Sequence, residues 1–142
     1  MKKLILALMF FATPALAASD IVMHRDPGCG CCERWAAQVR TAFGRNVGIV
    51  EDANRVALQR RVELPLQYAS CHSALIEGLA FEGHVPVADM KRLLRTRPKG
   101  IRGLAVVGMP LGSPGMEVKG LAAQRYEVIA FGQNQPVVFA LH

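Results

Sequence analysis

The sequence predicts an α/β protein with a mixed central sheet flanked by helices. Apolar segments that stop at turn residues alternate with segments whose apolar residues recur at helical spacing, which is typical of this class. The composition agrees, because 142 residues of which 51% are hydrophobic and 20% charged suit one globular domain. The chain contains no internal repeat, low-complexity tract or linker, so the sequence excludes a repeat or disordered protein.

The first predicted strand and helix surround a cysteine-rich motif. An apolar strand begins at Ile21–Met23 and runs into the turn Pro27-Gly28, which is followed by Cys29-Gly30-Cys31-Cys32. A helix comes next, and Gly44 is placed to end it. The apolar residues that recur at helical spacing are Cys32, Trp35, Ala36, Val39 and Phe43.

The middle of the chain predicts a second strand, a short helix and an extended segment. The strand covers the apolar residues 47–50. A short helix at about 54–62 takes Asn54 as its candidate N-cap. The extended segment, 68–78, carries the fourth cysteine, Cys71.

A third helix follows a turn at Glu82-Gly83-His84. Pro86 suits the first position of a helix, and residues 98–100 end it. Its apolar face consists of Val87, Met90, Leu93 and Leu94.

The last part of the chain predicts a buried strand at 103–107 and a C-terminal β-hairpin made of 126–131 and 136–141. Between them lies a loop, 108–116, with two Pro, three Gly and two Met, called here the Gly/Pro loop. A thioredoxin-like core is the simplest arrangement of this order of elements.

The N-terminus predicts a secretory signal peptide, residues 1–17. Lys2 and Lys3 precede an apolar run, 4–12, and Ala15-Leu16-Ala17 is the small-x-small pattern after which signal peptidase cuts. A membrane span needs about 20 apolar residues, so this run is too short for an anchor. We expect residues 18–142 to form a single exported domain. The short signal with paired lysines is typical of bacteria, which makes the periplasm the expected location.

The net charge of +6 is weak evidence for a nucleic-acid partner. Two lysines belong to the expected signal peptide, and export removes most nucleic-acid partners. Cations near the end of the third helix complement its dipole and keep one face solvated; they are Arg92, Arg95, Arg97, Lys99 and Arg102. This pattern disfavours a protein that binds nucleic acid or a membrane surface. An acidic partner protein remains an alternative.

The four cysteines indicate redox chemistry or metal binding. The segment Cys29–Cys32, called here the CxCC segment, combines C-x-x-C with C-x-C at the expected start of a helix. A helix N-terminus stabilises thiolate, which is both nucleophile and metal ligand. Purely structural bridging is disfavoured, because only the pairing Cys29–Cys32 with Cys31–Cys71 avoids a strained small ring.

The number and kind of sulfur ligands favour copper. A dithiol exchanger needs two sulfurs, and this chain has four cysteines. Zinc usually takes two separated Cys or Cys/His pairs, whereas only Cys71-His72 accompanies the CxCC segment. Met109 and Met116 lie in the Gly/Pro loop, and thioethers suit Cu(I) better than zinc, although packing is the alternative role for both. Because a thiolate can bridge two ions, we expect a multinuclear Cu(I) cluster as one form of the site.

Two histidines are further candidate ligands. His72 adjoins Cys71, but a neighbour along a strand faces the opposite side unless the backbone bends. His84 lies in a turn before a helix, where an imidazole can bind metal. Met90, on the apolar face of a helix, and Met23, on a strand, are expected in the core.

Four ordered segments resemble the CopG-type copper-resistance proteins, a family long described only as a metal-binding domain of unknown function. They are His24–Trp35, Ser70–Ala74, Glu82–Pro86 and Gly108–Glu117. The resemblance covers nearly the whole expected mature chain and implies a periplasmic, thioredoxin-like, copper-binding protein associated with copper-handling systems. The metal residues that it implies are Cys29, Cys31, Cys32 and Cys71, with Met109, Met116, His72 and His84 as further candidates.

Two functions fit these observations. The first is a protein that sequesters copper, or converts it between Cu(I) and Cu(II), with copper ions and other periplasmic copper-handling proteins as partners. The second is a thiol–disulfide oxidoreductase that uses Cys29 and Cys32. Such enzymes place a cis proline beside the dithiol, and Pro65 or Pro110 could supply it.

Overall fold

In a computed structural model that describes residues 21–142, the chain forms a seven-stranded mixed sheet with three α-helices. The strands are β1 (Ile21–Arg25), β2 (Val47–Glu51), β3 (His72–Ile76), β4 (Leu79–Glu82), β5 (Ile101–Ala105), β6 (Glu127–Gly132) and β7 (Val137–Leu141). The helices are α1 (Gly30–Phe43), α2 (Val56–Arg61) and α3 (Val87–Thr96), with a 3₁₀ turn at Leu66–Tyr68. No helix among these residues is long and apolar enough to cross a membrane. The expected signal peptide lies outside the described residues.

The order of strands brings four chain segments to one end of the sheet. The order is β2-β1-β3-β4-β5-β6-β7, in which β1 pairs with β2 and β4 with β5 in parallel, and the other neighbours are antiparallel. Because β1, β4 and β5 run in one direction and β3 in the other, the ends of β1, β4 and β5 meet the start of β3. The cysteines, the turn that carries His84 and the Gly/Pro loop all come from these segments.

The sheet is covered on both faces. Helices α1 and α3 pack on one face, over a core that includes Trp35, Phe81 and Leu104. On the other face a smaller cluster joins Leu64 to three strand residues, Ala80, Ala105 and Phe131. Neighbours such as Ala80 and Phe81 therefore face opposite clusters, as successive strand residues must.

The sequence-based assignment of a mixed α/β fold is confirmed, and so are most of its elements. Helix α1 ends at Gly44, whose φ of 60° is the left-handed conformation that glycine adopts readily. Pro86 opens α3 as its N-cap residue, so the first helical position is Val87 and not Pro86. Met23 and Met90 are both fully buried, as expected of core residues.

Three local assignments were wrong. Strand β4 was missed because all four of its residues are buried, so the alternation that marks a half-buried strand is absent. Strand β5 begins at Ile101 and ends before Val107, which is 49% exposed. The N-cap of α2 is Arg55 and not Asn54, whose backbone N–H instead donates to Asp52 Oδ1 at 3.0 Å.

Candidate metal centre

The CxCC segment forms the start of helix α1. Cys29 is the residue before the helix, and no side chain caps the helix there. The unpaired N–H groups and the positive end of the helix dipole lie beside these sulfurs, where they stabilise thiolate. Cys32 is buried in the core, whereas Cys29 and Cys31 are partly exposed.

The fourth cysteine completes a compact group of sulfur atoms. Cys71 lies in the bend before β3, and its carbonyl accepts a hydrogen bond from the Asp26 N–H at 3.0 Å. The Sγ atoms of all four cysteines lie within 4.8 Å of one another. Cys31 Sγ is 3.4 Å from Cys29 Sγ. The fold therefore gathers the four sulfurs that the sequence singles out.

In this structure Cys29 and Cys32 form a disulfide, and Cys31 and Cys71 are free thiols. Metal binding requires thiolates, so the disulfide withholds two of the four donors until it is reduced. All peptide bonds in residues 21–142 are trans, so neither Pro65 nor Pro110 supplies the cis proline expected beside a redox dithiol.

The Gly/Pro loop brings a methionine to the sulfur group. Met109 Sδ lies 3.7 Å from Cys31 Sγ, and Met109 is 52% exposed. The second loop methionine, Met116, is placed by backbone hydrogen bonds to Ser113 and Gly112, at 2.8 and 3.1 Å.

Helix α1 holds this loop in place. Arg34 Nε donates to the Gly115 carbonyl at 2.8 Å, and Gly115 has a φ of +84°. A Cβ atom at Gly115 would lie only 2.6 Å from the Cys31 carbonyl oxygen, so only glycine lets the loop approach this closely. At the other end of the loop, Ser70 Oγ donates to the Gly108 carbonyl at 3.0 Å.

Two imidazoles face Cys71. Its Sγ lies 3.5 Å from His72 Nδ1 and 3.3 Å from His84 Nε2, because the backbone bends at Cys71 and turns His72 toward the sulfur. His84 Nδ1 lies 2.8 Å from the Pro114 carbonyl, which can only accept a hydrogen bond. The proton is therefore on Nδ1, and the Nε2 lone pair of His84 faces Cys71.

Burial keeps these groups uncharged at neutral pH. Desolvation, followed by the nearby Cys31, raises the pKa of Cys71 to about 11. Desolvation, followed by His84, lowers the pKa of His72 to about 3, and burial also lowers the pKa of His84. A metal ion here meets neutral imidazoles that are ready to bind, whereas the Cys71 thiol must lose a proton.

Three buried residues that surround the site were not predicted to belong to it, although helical spacing did place Trp35 on the apolar face of α1. Trp35 Nε1 donates to the Val85 carbonyl at 2.9 Å, and the Trp35 ring centroid lies 4.5 Å from that of His72. Arg55 and Glu82 have ionisable side chains that are almost completely buried, and burial raises the pKa of the Glu82 carboxyl. Charged residues are rarely buried, and no sequence pattern distinguishes these two from surface ones.

Two solved structures resemble this chain over nearly its whole length. One, described as "Copper resistance protein copG", form 1, is 37% identical with a TM-score of 0.78, over 89% of this chain and 98% of that one. Form 2 is 39% identical with a TM-score of 0.75, over 87% of this chain and 97% of that one. A family model described as "Protein of unknown function, DUF411" matches residues 68–116, and no curated protein matches the chain.

Proposed function

Because this chain belongs to the CopG-type copper-resistance family, we propose that it is a periplasmic copper-binding protein in which the reduced cysteines bind Cu(I). The observation that carries this proposal is the group of four Sγ atoms within 4.8 Å of one another, contributed by Cys29, Cys31, Cys32 and Cys71. Soft thiolates select Cu(I), and the other donors nearby are a thioether and neutral imidazoles.

The remaining candidate ligands lie on two sides of the sulfur group. Met109 is proposed as a ligand beside Cys31, and His72 and His84 are proposed as ligands beside Cys71. Met116 is proposed as a second thioether from the same loop. Four thiolates in so small a volume, each able to bridge two ions, favour a multinuclear Cu(I) cluster.

The dithiol also supports conversion of copper between oxidation states. Reduction of two Cu(II) ions takes two electrons, which Cys29 and Cys32 supply when their S–S bond forms and their two thiol protons are released. A dithiol protein of the periplasm would then reduce the disulfide by exchange. Such a step would leave Cys29 and Cys32 joined by a disulfide, the pairing that their positions at the start of α1 allow.

The fold supports a thioredoxin-like assignment for the exported domain, residues 18–142. The segment β1-α1-β2 is followed by β3-β4-α3, and the strands have the order β2-β1-β3-β4. We propose that the antiparallel pair β6 and β7 is the C-terminal hairpin that completes the sheet. The intact mass of protein recovered from the periplasm tests removal of residues 1–17.

A thiol–disulfide oxidoreductase is the second candidate, because the Cys29–Cys32 disulfide lies at a helix N-terminus. Insulin reduction separates the two functions. Turnover that persists in the double variant Cys31→Ser/Cys71→Ser favours the oxidoreductase, since simple exchange needs only Cys29 and Cys32.

The main test is an anaerobic Cu(I) titration of the reduced protein against a chelator of known affinity. The double variant Cys31→Ser/Cys71→Ser should lose at least about 100-fold in affinity, since each lost ligand costs tenfold or more. Affinity that survives both substitutions would show that the thiolate centre is wrong.

A further inference from the structure

We propose that Arg55 and Glu82 are positioning residues of this centre: they hold the backbone of Ser70 from two sides and so fix Cys71 against the CxCC segment. The inference rests on the proposed function, because it assumes that Cys71 binds Cu(I). Neither side chain is a ligand, and both act through Ser70.

Arg55 ties together the two chain segments that carry the cysteines. Only 7% of Arg55 is exposed. Its Nη1 lies 2.6 Å from Asp26 Oδ1, and its Nη2 donates to the Ser70 carbonyl at 2.8 Å. Asp26 begins the turn into the CxCC segment, and Ser70 precedes Cys71. One guanidinium therefore sets the separation between these segments.

Glu82 secures the residues before and after the Cys71 bend. It is 1% exposed, at the end of β4. Its Oε1 accepts from the Ser70 N–H at 2.8 Å and from Gln59 Nε2 at 3.0 Å. Its Oε2 accepts from Ser73 Oγ, and Ser73 is its register partner across β3 and β4. The carboxylate thus brackets residues 71–72.

Ser70 is held at both of its backbone polar groups by the ionisable side chains of Arg55 and Glu82. Glu82 accepts from its N–H, and Arg55 donates to its carbonyl. Buried charges are costly even when paired, and apolar residues would join α2 to the sheet with less desolvation. Unlike apolar residues, Arg55 and Glu82 fix the orientation of the groups that they bind. A planar guanidinium and a carboxyl group each set the geometry of several hydrogen bonds at once.

A double-mutant cycle separates positioning from general stability. Arg55→Lys keeps the positive charge but loses the planar guanidinium that contacts Asp26 and Ser70 together. It should therefore weaken Cu(I) binding about tenfold in the reduced protein that contains Cys71. In the Cys71→Ser background the same substitution should change affinity less than about twofold, because the positioned ligand is gone. A merely structural role would lower affinity equally in both backgrounds.

Arg45→Lys is the matched control. Arg45 has little exposure and pairs with Glu77 at 2.9 Å, near the far end of α1 from the cysteines. The substitution Arg45→Lys should leave Cu(I) affinity unchanged both with Cys71 and in the Cys71→Ser background. Affinities come from anaerobic competition with bathocuproine disulfonate, and circular dichroism verifies that each variant is folded.

Glu82 provides a second variant pair should Arg55→Lys fail to fold. Glu82→Gln keeps an oxygen that accepts from Ser70 and Gln59, so affinity should stay within about twofold of the parent. Glu82→Leu loses that oxygen and should weaken binding about tenfold, again only when Cys71 is present. Equal losses in both backgrounds, or no loss in folded Arg55→Lys and Glu82→Leu, would overturn the inference.

The failure of the proposed function looks different. If the parent protein does not compete with the chelator, or if Cys71→Ser binds Cu(I) as tightly as the parent, the ligand assignment itself is contradicted and the positioning role falls with it.

Discussion

The thioether sulfur of Met109 lies 3.7 Å from the Cys31 thiol, although 78 positions separate the two residues. Met109 is 52% exposed, so filling a gap in the core does not account for its position. A thioether beside a thiolate is a pair of soft donors, and Cu(I) is the metal that such a pair suits.

Met109→Leu should therefore lower Cu(I) affinity about tenfold, because leucine keeps the volume but removes the sulfur donor. Zinc affinity should not change, since zinc rarely takes thioethers. Met90→Leu is the control, because Met90 lies in the core. Anaerobic chelator competition measures the affinities of the parent protein, Met109→Leu and Met90→Leu. Unchanged Cu(I) affinity in Met109→Leu would remove Met109 from the centre, and Met116→Leu tests the second loop methionine in the same way.

The partly buried thiol of Cys71 should react slowly at neutral pH. Burial and the neighbouring Cys31 raise its pKa to about 11 from an ordinary value of 9.0, so at pH 8 it carries about a hundredfold less of the reactive thiolate than an ordinary cysteine. Its alkylation rate should therefore still rise between pH 9 and about 11. Peptide mass spectrometry of iodoacetamide-treated protein measures this, provided that the Cys29–Cys32 disulfide is kept intact.

Urea-unfolded protein is the control for this profile, because its Cys71 should titrate as an ordinary thiol. A native alkylation profile that levels off near pH 9 would contradict the raised pKa of Cys71.

Gly115→Ala should destabilise the protein far more than Gly120→Ala. Both glycines have a φ of +84°, so each substitution pays about 1–2 kcal/mol for a left-handed residue. At Gly120 a Cβ atom would meet open space. At Gly115 it would lie 2.6 Å from the Cys31 carbonyl oxygen and 2.8 Å from the backbone nitrogen of Trp35. We expect an extra loss of about 2 kcal/mol in the free energy of unfolding for Gly115→Ala.

Urea unfolding followed by circular dichroism measures both glycine variants. Equal losses would show that the Gly/Pro loop does not pack against α1 as closely as the structure places it.

The position of the CxCC segment at the start of α1 was predicted correctly, because its signals are local. Helical spacing from Cys32 to Phe43 fixes where α1 begins, and that start places the cysteines at a helix N-terminus. The orientation of His72 was harder to predict, because it depends on a bend at Cys71 rather than on strand periodicity.

Arg55 and Glu82 could not be predicted because their role depends on contacts between distant parts of the chain. Arg55 meets Asp26, 29 positions away, and Glu82 meets Gln59, 23 positions away. Nothing local marks either residue as buried. Glu82 also belongs to β4, the strand that was missed because its residues are buried throughout.

Copper analysis and Cu K-edge X-ray absorption of the reduced protein, loaded anaerobically with Cu(I), test the thiolate centre most directly. We expect more than one copper per chain, low-coordinate copper bound mainly by sulfur, and a short copper–copper vector. A single copper per chain without that vector would contradict the cluster, and copper bound only by nitrogen and oxygen would contradict the thiolate centre itself.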